Sequence, residues 1–197
     1  MKVVLLCGGI GKRMTPITED KFLLKFLGRA LLLHQIELIR KAGLSDFIIV
    51  GNPQNIGSIK ETTKNISGIK LQFAVQQKPL GIADALASAG QLLDDEIIVQ
   101  SSNDLVETRA YVALLNARRQ SSELSYVLAY EVSDYFPGGY LVVNESNELR
   151  DIIEKPGRGN EPTNLVNILA HLHTDPQRLP DYAQRVETTE DDIYERA

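Results

Sequence analysis

The chain has 197 residues, with 21 Lys and Arg against 26 Asp and Glu, which leaves a formal charge of −5 with the histidines neutral. At 43% hydrophobic and 24% charged residues it has material for a sizeable core, and collagen, coiled-coil and disordered classes are excluded. A single cysteine, Cys7, and three histidines rule out an intrachain disulfide and a multi-cysteine zinc site, and they fit a reducing, cytoplasmic setting.

The elements alternate. Lys2–Cys7 (KVVLLC) is an aliphatic run that stops at glycines, as a buried parallel strand does. It lacks the cleavage site of a signal peptide. Leu32, Leu33, Ile36, Leu38 and Ile39 fall at helical spacing within Leu31–Ala42, and Gly43 supplies the stop. Phe47–Val50 and Gly68–Val75 read as strands, with a short helix expected in the polar stretch between them. Ala83–Leu93 is an alanine-rich helix, Glu96–Gln100 a buried strand, Thr108–Gln120 a helix and Leu124–Val132 a strand. Tyr140–Val143 and Leu149–Glu154 form a hairpin around Asn144–Asn147. This order predicts an α/β fold with a doubly wound, mainly parallel sheet and a small antiparallel hairpin insertion. Asp175–Ala197, with seven acids and three arginines, predicts an exposed helix or a frayed tail. No window is long and apolar enough to span a bilayer, and the acidic balance argues against nucleic acid; neither partner is expected.

In open α/β sheets ligands bind at the carboxyl ends of strands, which directs attention to Gly8-Gly9-Ile10-Gly11-Lys12-Arg13-Met14. Glycines there let backbone N–H groups approach an anion, and Lys12 and Arg13 add charge. A Walker loop would need Gly at Leu6 and a hydroxyl at Arg13, and a dinucleotide fingerprint would need Gly at Met14, so neither applies. A further candidate is Asp104, at the end of a buried strand, whereas Gln76, an amide able both to donate and to accept, reads by itself as a polar residue at a strand end. Asp104 also suits an Asx-turn or a helix cap. His171 and His173 alternate on an apolar strand and read as structural or surface histidines rather than ligands.

The segment Leu6–Thr18 resembles the opening signature of the sugar-1-phosphate nucleotidyltransferases, a Gly-x-Gly-x-Arg loop followed by Pro-x-Thr. Four more matches follow in that family's order: Lys21 with Leu23-Leu24, Gln76–Ala85 (QQKPLGIADA), Asn103-Asp104, and Glu154-Lys155-Pro156. The resemblance implies a Rossmann-like nucleotidyltransferase domain over residues 1–197 and a reaction that joins a nucleoside triphosphate to a sugar 1-phosphate. Glucose 1-phosphate with dTTP or UTP is the default pairing, and pyrophosphate is released. Carried over residue by residue, it implies that Leu6, Gly8, Gly9, Gly11, Lys12, Gln76 and Gly81 hold the nucleotide. Arg13, Lys21 and Lys155 would be catalytic; Gly139, Glu154, Lys155 and Asn167 would hold the sugar; and Asp104 would ligate Mg2+, with Glu107 a weaker neighbour. Lysine charges of this kind bring two anionic substrates together.

The sequence departs from the family pattern at Asp20 and Lys25, where proline is usual, at Leu169, usually glycine, and at His171, usually tyrosine. Family members also continue past the segment resembling Arg185–Ile193 into a strand with a second metal-binding aspartate, and that part of the domain is expected to be absent here. Two alternatives therefore stay open: a non-catalytic nucleotide-binding module, and a molybdopterin guanylyltransferase-like enzyme, which shares the Gly-Gly loop, the Arg-Met pair and Asp-Lys before Leu-Leu. Homo-oligomerisation is a further expectation from the family.

Overall fold

The structure is a computed structural model that describes residues 1–9 and 20–179. Strand β1 (Lys2–Leu6) lies at its centre, with Val3, Val4 and Leu5 fully buried. It pairs in parallel with β4 (Asp46–Gly51) on one side and β6 (Ile97–Ser101) on the other, and β4 pairs in parallel with β5 (Lys70–Val75). Alternate residues of these strands face opposite layers, as the two-residue strand period requires. Val3, Leu5, Phe47, Ile49 and Ile98 pack with Leu32, Ile36 and Ile39 of α1 (Leu31–Lys41), Ile59 of α2 (Ile56–Thr63), and Tyr111 and Leu114 of α4 (Thr108–Gln120). Val4, Ile48, Val50, Ile97 and Val99 pack with Ala85, Leu86 and Ala89 of α3 (Ile82–Ala89). Helices thus cover both faces, as expected of a doubly wound sheet. Burying each of these large aliphatic side chains is worth about 1.5–3 kcal/mol.

The antiparallel half is larger than a hairpin alone. Strand β10 (Leu165–His173) runs antiparallel to β6 and also pairs with β7 (Ser125–Glu131) and β8 (Gly139–Val143), which forms the expected hairpin with β9 (Leu149–Glu154). The sheet order is β5-β4-β1-β6-β10-β8-β9, with β7 on β10. The register of β10 against β7 slips between Ile168 and Leu172, an irregularity of the ladder next to Leu169.

Three local features differ from expectation. The helix predicted over Ala83–Leu93 stops at Ala89, because Gly90 takes φ +46°, and continues only as a 3-10 turn over Gly90–Leu92. In α1, Leu33 and Leu38 are half-buried, whereas Gln35 sits in the buried stripe. A two-stranded ribbon of β2 (Lys25–Phe26) and β3 (Arg29–Ala30) turns on Leu27 and Gly28, both at positive φ. Of the predicted C-terminal segment, the described part contains a 3-10 turn at Pro176–Arg178; residues 180–197 lie outside the described residues. Among the described residues no helix is long and apolar enough to cross a membrane.

His171 and His173 are structural. Both are buried, His171 Nε2 lies 2.8 Å from Asn167 Oδ1, and His173 Nδ1 lies 2.8 Å from Ser125 Oγ. Burial depresses their pKa values to about 3 and about 4, with the neighbouring His173 adding to the effect on His171. A histidine whose folded pKa is depressed favours the neutral imidazole, so the contribution of this pair to stability is present above the unfolded pKa near 6.5 and is lost as pH falls towards 4 and 3. Denaturation midpoints should therefore fall between pH 6.5 and 4, and the decline should be shallower in His173→Gln. Parallel pH profiles for the two proteins would contradict this account.

Candidate functional site

The parallel pairing of β1 with β4 and β6 brings their carboxyl ends to one edge, and the predicted nucleotide residues gather there. Leu6, Gly8, Gly9, Lys21, Gln76 and Gly81 line a cavity of about 430 Å³, together with Ser101, Ser102 and Asn103 from the end of β6. Gly11, Lys12 and Arg13 lie outside the described residues.

Side-chain amides hold the walls. As the chain leaves β1, Asn55 Nδ2 donates to the Cys7 carbonyl at 2.8 Å and Asn52 Nδ2 to the Gly8 carbonyl at 3.2 Å. Asn52 and Asn55 are locked to each other: the Asn52 N–H donates to Asn55 Oδ1 at 2.8 Å, and the Asn55 N–H to Asn52 Oδ1 at 2.9 Å. Gln76 extends β5 and is 4% exposed; its Nε2 donates to the Gly81 carbonyl at 2.9 Å and to Asp84 Oδ2 at 2.8 Å. Gly81, at φ +93°, opens α3, and the Gln76 bond closes the Lys78-Pro79-Leu80 loop onto it. A methyl group on Gly8 would overlap Gln76 Oε1. Glycine at this position lets the amide and the β1 loop share one wall.

Cys7 is buried, and that burial pushes its thiol up to about 12, so it offers no nucleophile at neutral pH. A second cleft of about 1140 Å³ shares Gly8, Asp20, Gln76 and Pro79 with the first and extends past Asn52 and Asn55 to Lys25 and Arg29 of the ribbon.

Asp104 stands one residue beyond the cavity lining, exposed, on the turn after β6. Its neighbour Glu107 pairs with Arg109 at 2.6 Å. Among the described residues no group of three or more His, Cys, Asp or Glu is placed to cage a metal. A lone exposed carboxylate at a polyphosphate-sized cleft fits Mg2+, which keeps several waters and is held through one or two carboxylates plus substrate phosphates. Asp104 is the residue that would hold it.

The predicted sugar residues form a second group. Gly139 faces Glu154 across the β8/β9 ladder, and a Cβ on Gly139 would lie 3.1 Å from Glu154 Oε2 and 3.7 Å from the Asn167 Cβ. Lys155 Nζ pairs with Glu154 Oε1 at 2.9 Å, and the Lys155 backbone takes φ +44°, a left-handed conformation strained for lysine. None of Gly139, Glu154, Lys155 and Asn167 lines the 430 Å³ cavity; Leu169, two residues along β10 from Asn167, does. The amides Asn52, Asn55 and Gln35 were not singled out from sequence, although a glutamine in an apolar helical stripe is a signal that a buried partner exists.

Gly8→Ala tests the shared wall. The added methyl must displace Gln76 from its bonds to Gly81 and Asp84, which should cost about 1–3 kcal/mol. In the Gln76→Ala background the same substitution should cost less. Equal melting midpoints for wild type and Gly8→Ala would contradict the packing described.

A sequence profile described as "Nucleotidyl transferase" matches residues 2–172. The chain is 30% identical over 162 residues to a mannose-1-phosphate guanylyltransferase catalytic subunit beta from Dictyostelium discoideum, covering 79% of this chain and 45% of that protein. It is 26% identical over 163 residues to a glucose-1-phosphate thymidylyltransferase from Neisseria meningitidis serogroup A, covering 80% and 57% respectively. The chain therefore spans about half the length of these curated relatives. In fold it is similar to a UDP-glucose pyrophosphorylase solved with UDP-glucose, at a TM-score of 0.78 and 19% identity, covering 96% of this chain and 81% of that one. Taken with the glycine loop at the end of β1, the profile match establishes that the chain belongs to the nucleotidyl transferase family.

Proposed function

We propose that the protein transfers a nucleotidyl group from a nucleoside triphosphate to a hexose 1-phosphate, releasing pyrophosphate. The observation that carries this reading is the convergence of Gly8, Gly9, Lys21, Gln76 and Gly81 with the end of β6 on one cavity at the carboxyl edge of the parallel strands. In this reading the backbone N–H groups of the glycine loop and the Lys21 ammonium hold the triphosphate, and Arg13 neutralises charge that develops on the leaving pyrophosphate. The sugar phosphate attacks the α-phosphorus in line. Lys155, held close to Glu154 by the left-handed turn, offsets the repulsion between the two phosphates, and Glu154, Gly139 and Asn167 receive the sugar. Mg2+, when bound, supplies positive charge that offsets the negative charge on the phosphoryl oxygens. Positioning and charge neutralisation suffice for this reaction class, which needs no protein nucleophile; the buried Cys7 thiol is consistent with that.

The relatives' names supply the substrate pairs to be tested. Mannose 1-phosphate with GTP and glucose 1-phosphate with dTTP are the pairs implied by the two relatives' names, and UTP with glucose 1-phosphate completes the panel. Pyrophosphate release measured with each triphosphate and each sugar phosphate should require both substrates and Mg2+. Arg13→Ala and Lys21→Ala should each lower kcat by about 10²–10³-fold. Folded wild-type protein that is silent across the panel, yet binds a nucleotide sugar, would overturn catalysis in favour of a binding module.

A further inference from the structure

We propose that Gln35 is a positioning residue for Asp104, setting the loop on which that carboxylate meets the metal; this rests on the reading of Asp104 given above. Gln35 interrupts the apolar face of α1 between Leu32, Ile36 and Ile39 and is fully buried. A buried amide on a core-facing stripe must find partners, and this one turns both of its N–H bonds onto one segment. Its Nε2 donates to the Ser101 carbonyl at 2.9 Å and to the Asp104 carbonyl at 2.5 Å, so a single side chain clips the two ends of the Ser101–Asp104 turn. The orientation of the amide is unambiguous, because the flipped form would set Oε1 against two carbonyl oxygens.

Gln35 Oε1 has no hydrogen-bond partner among the described residues. The side chain therefore forgoes one bond inside the core while making two to the loop. A second buried amide braces the same point: Gln100 Nε2 donates to the Ser101 carbonyl at 2.9 Å, and the Tyr111 hydroxyl donates to Gln100 Oε1 at 3.2 Å. Of the three side chains Gln35, Gln100 and Tyr111, Gln35 is the one that hydrogen-bonds Asp104. It fastens the backbone from the buried side while the Asp104 residue stays exposed. Partners bonded to a ligating group itself are typically worth about 10–100-fold in metal affinity, and Gln35, which holds the backbone carrying the carboxylate, acts at the low end of that range.

The test uses the Mn2+ complex of inorganic triphosphate, which carries the polyphosphate of any nucleotide and needs no choice of base. Binding is followed by Mn2+ paramagnetic resonance on the intact protein. Gln35→Met keeps the volume and removes the donors; it should weaken binding about tenfold. It should also raise the Mg2+ concentration for half-maximal pyrophosphate release, with kcat recovered at high Mg2+. In the Asp104→Asn background the same change should add no further loss. A Gln35→Met protein that melts lower but binds the complex as wild type does would make Gln35 merely structural and overturn the inference, and so would additive losses in the double variant. If Gln35→Met does not fold, Gln35→Asn, which withdraws the amide by one methylene, carries the same comparison with the same two outcomes. Unchanged binding in Asp104→Asn would instead overturn the assignment of Asp104 itself.

Discussion

Everything at the site depends on the parallel pairing of β1 between β4 and β6. Parallel strands present their carboxyl ends together, so the glycines after β1, the amide after β5 and the turn after β6 arrive at one edge without any long-range loop having to bring them there. The register is secured by burial on both faces: shifting β1 by one residue would move Val3 and Leu5 into the layer of α3, and Val4 into that of α1. The core thus sets the geometry of the cleft, and the loops inherit it.

Side-chain amides, most of them buried, fasten those loops more than ion pairs do. Asn52 and Asn55 hold the carbonyls of Cys7 and Gly8, Gln76 holds Gly81, and Gln35 holds Ser101 and Asp104. The ion pairs of the described residues, such as Arg40 with Glu37 and Arg150 with Glu148, lie largely at the surface, where such pairs contribute little. A cleft that receives phosphate, as proposed, gains from this division. Neutral side chains fix the backbone without competing with phosphate for the positive charge of Lys21 and its neighbours.

Much of the fold was legible because β-branched and aliphatic runs of four to six residues, separated by helical periodicity, have few other solutions. The glycine loop, Gln76 with Gly81, and Asn103-Asp104 were legible as motifs, and the described ones among them fall on or beside one cavity. The ribbon of Lys25–Phe26 and Arg29–Ala30 was not, since two-residue strands have no period to detect. The early end of α3 at Gly90 was hidden by Gln91-Leu92-Leu93, good helix formers that extend the pattern past the glycine. In α1, Leu32, Gln35, Ile36 and Ile39 share one face at i, i+3, i+4 and i+7, so the spacing already turns Gln35 inward, and Leu33 and Leu38 flank that face and are half-buried. The role of Gln35 needs the spatial approach of α1 to the β6 loop, more than sixty residues away in sequence, which no local pattern encodes.

The central claim is that the cavity between the β1 and β6 ends receives the nucleotide with its metal beside Asp104. A crystal structure with Mn2+ and each of GTP, UTP and dTTP tests it most directly. The account predicts polyphosphate against the Gly8 and Gly9 backbone, the base near Gln76 and Gly81, and an anomalous Mn2+ peak in the coordination shell of Asp104. Nucleotide settled instead in the neighbouring cleft beside Lys25 and Arg29, with no metal at Asp104, would contradict it.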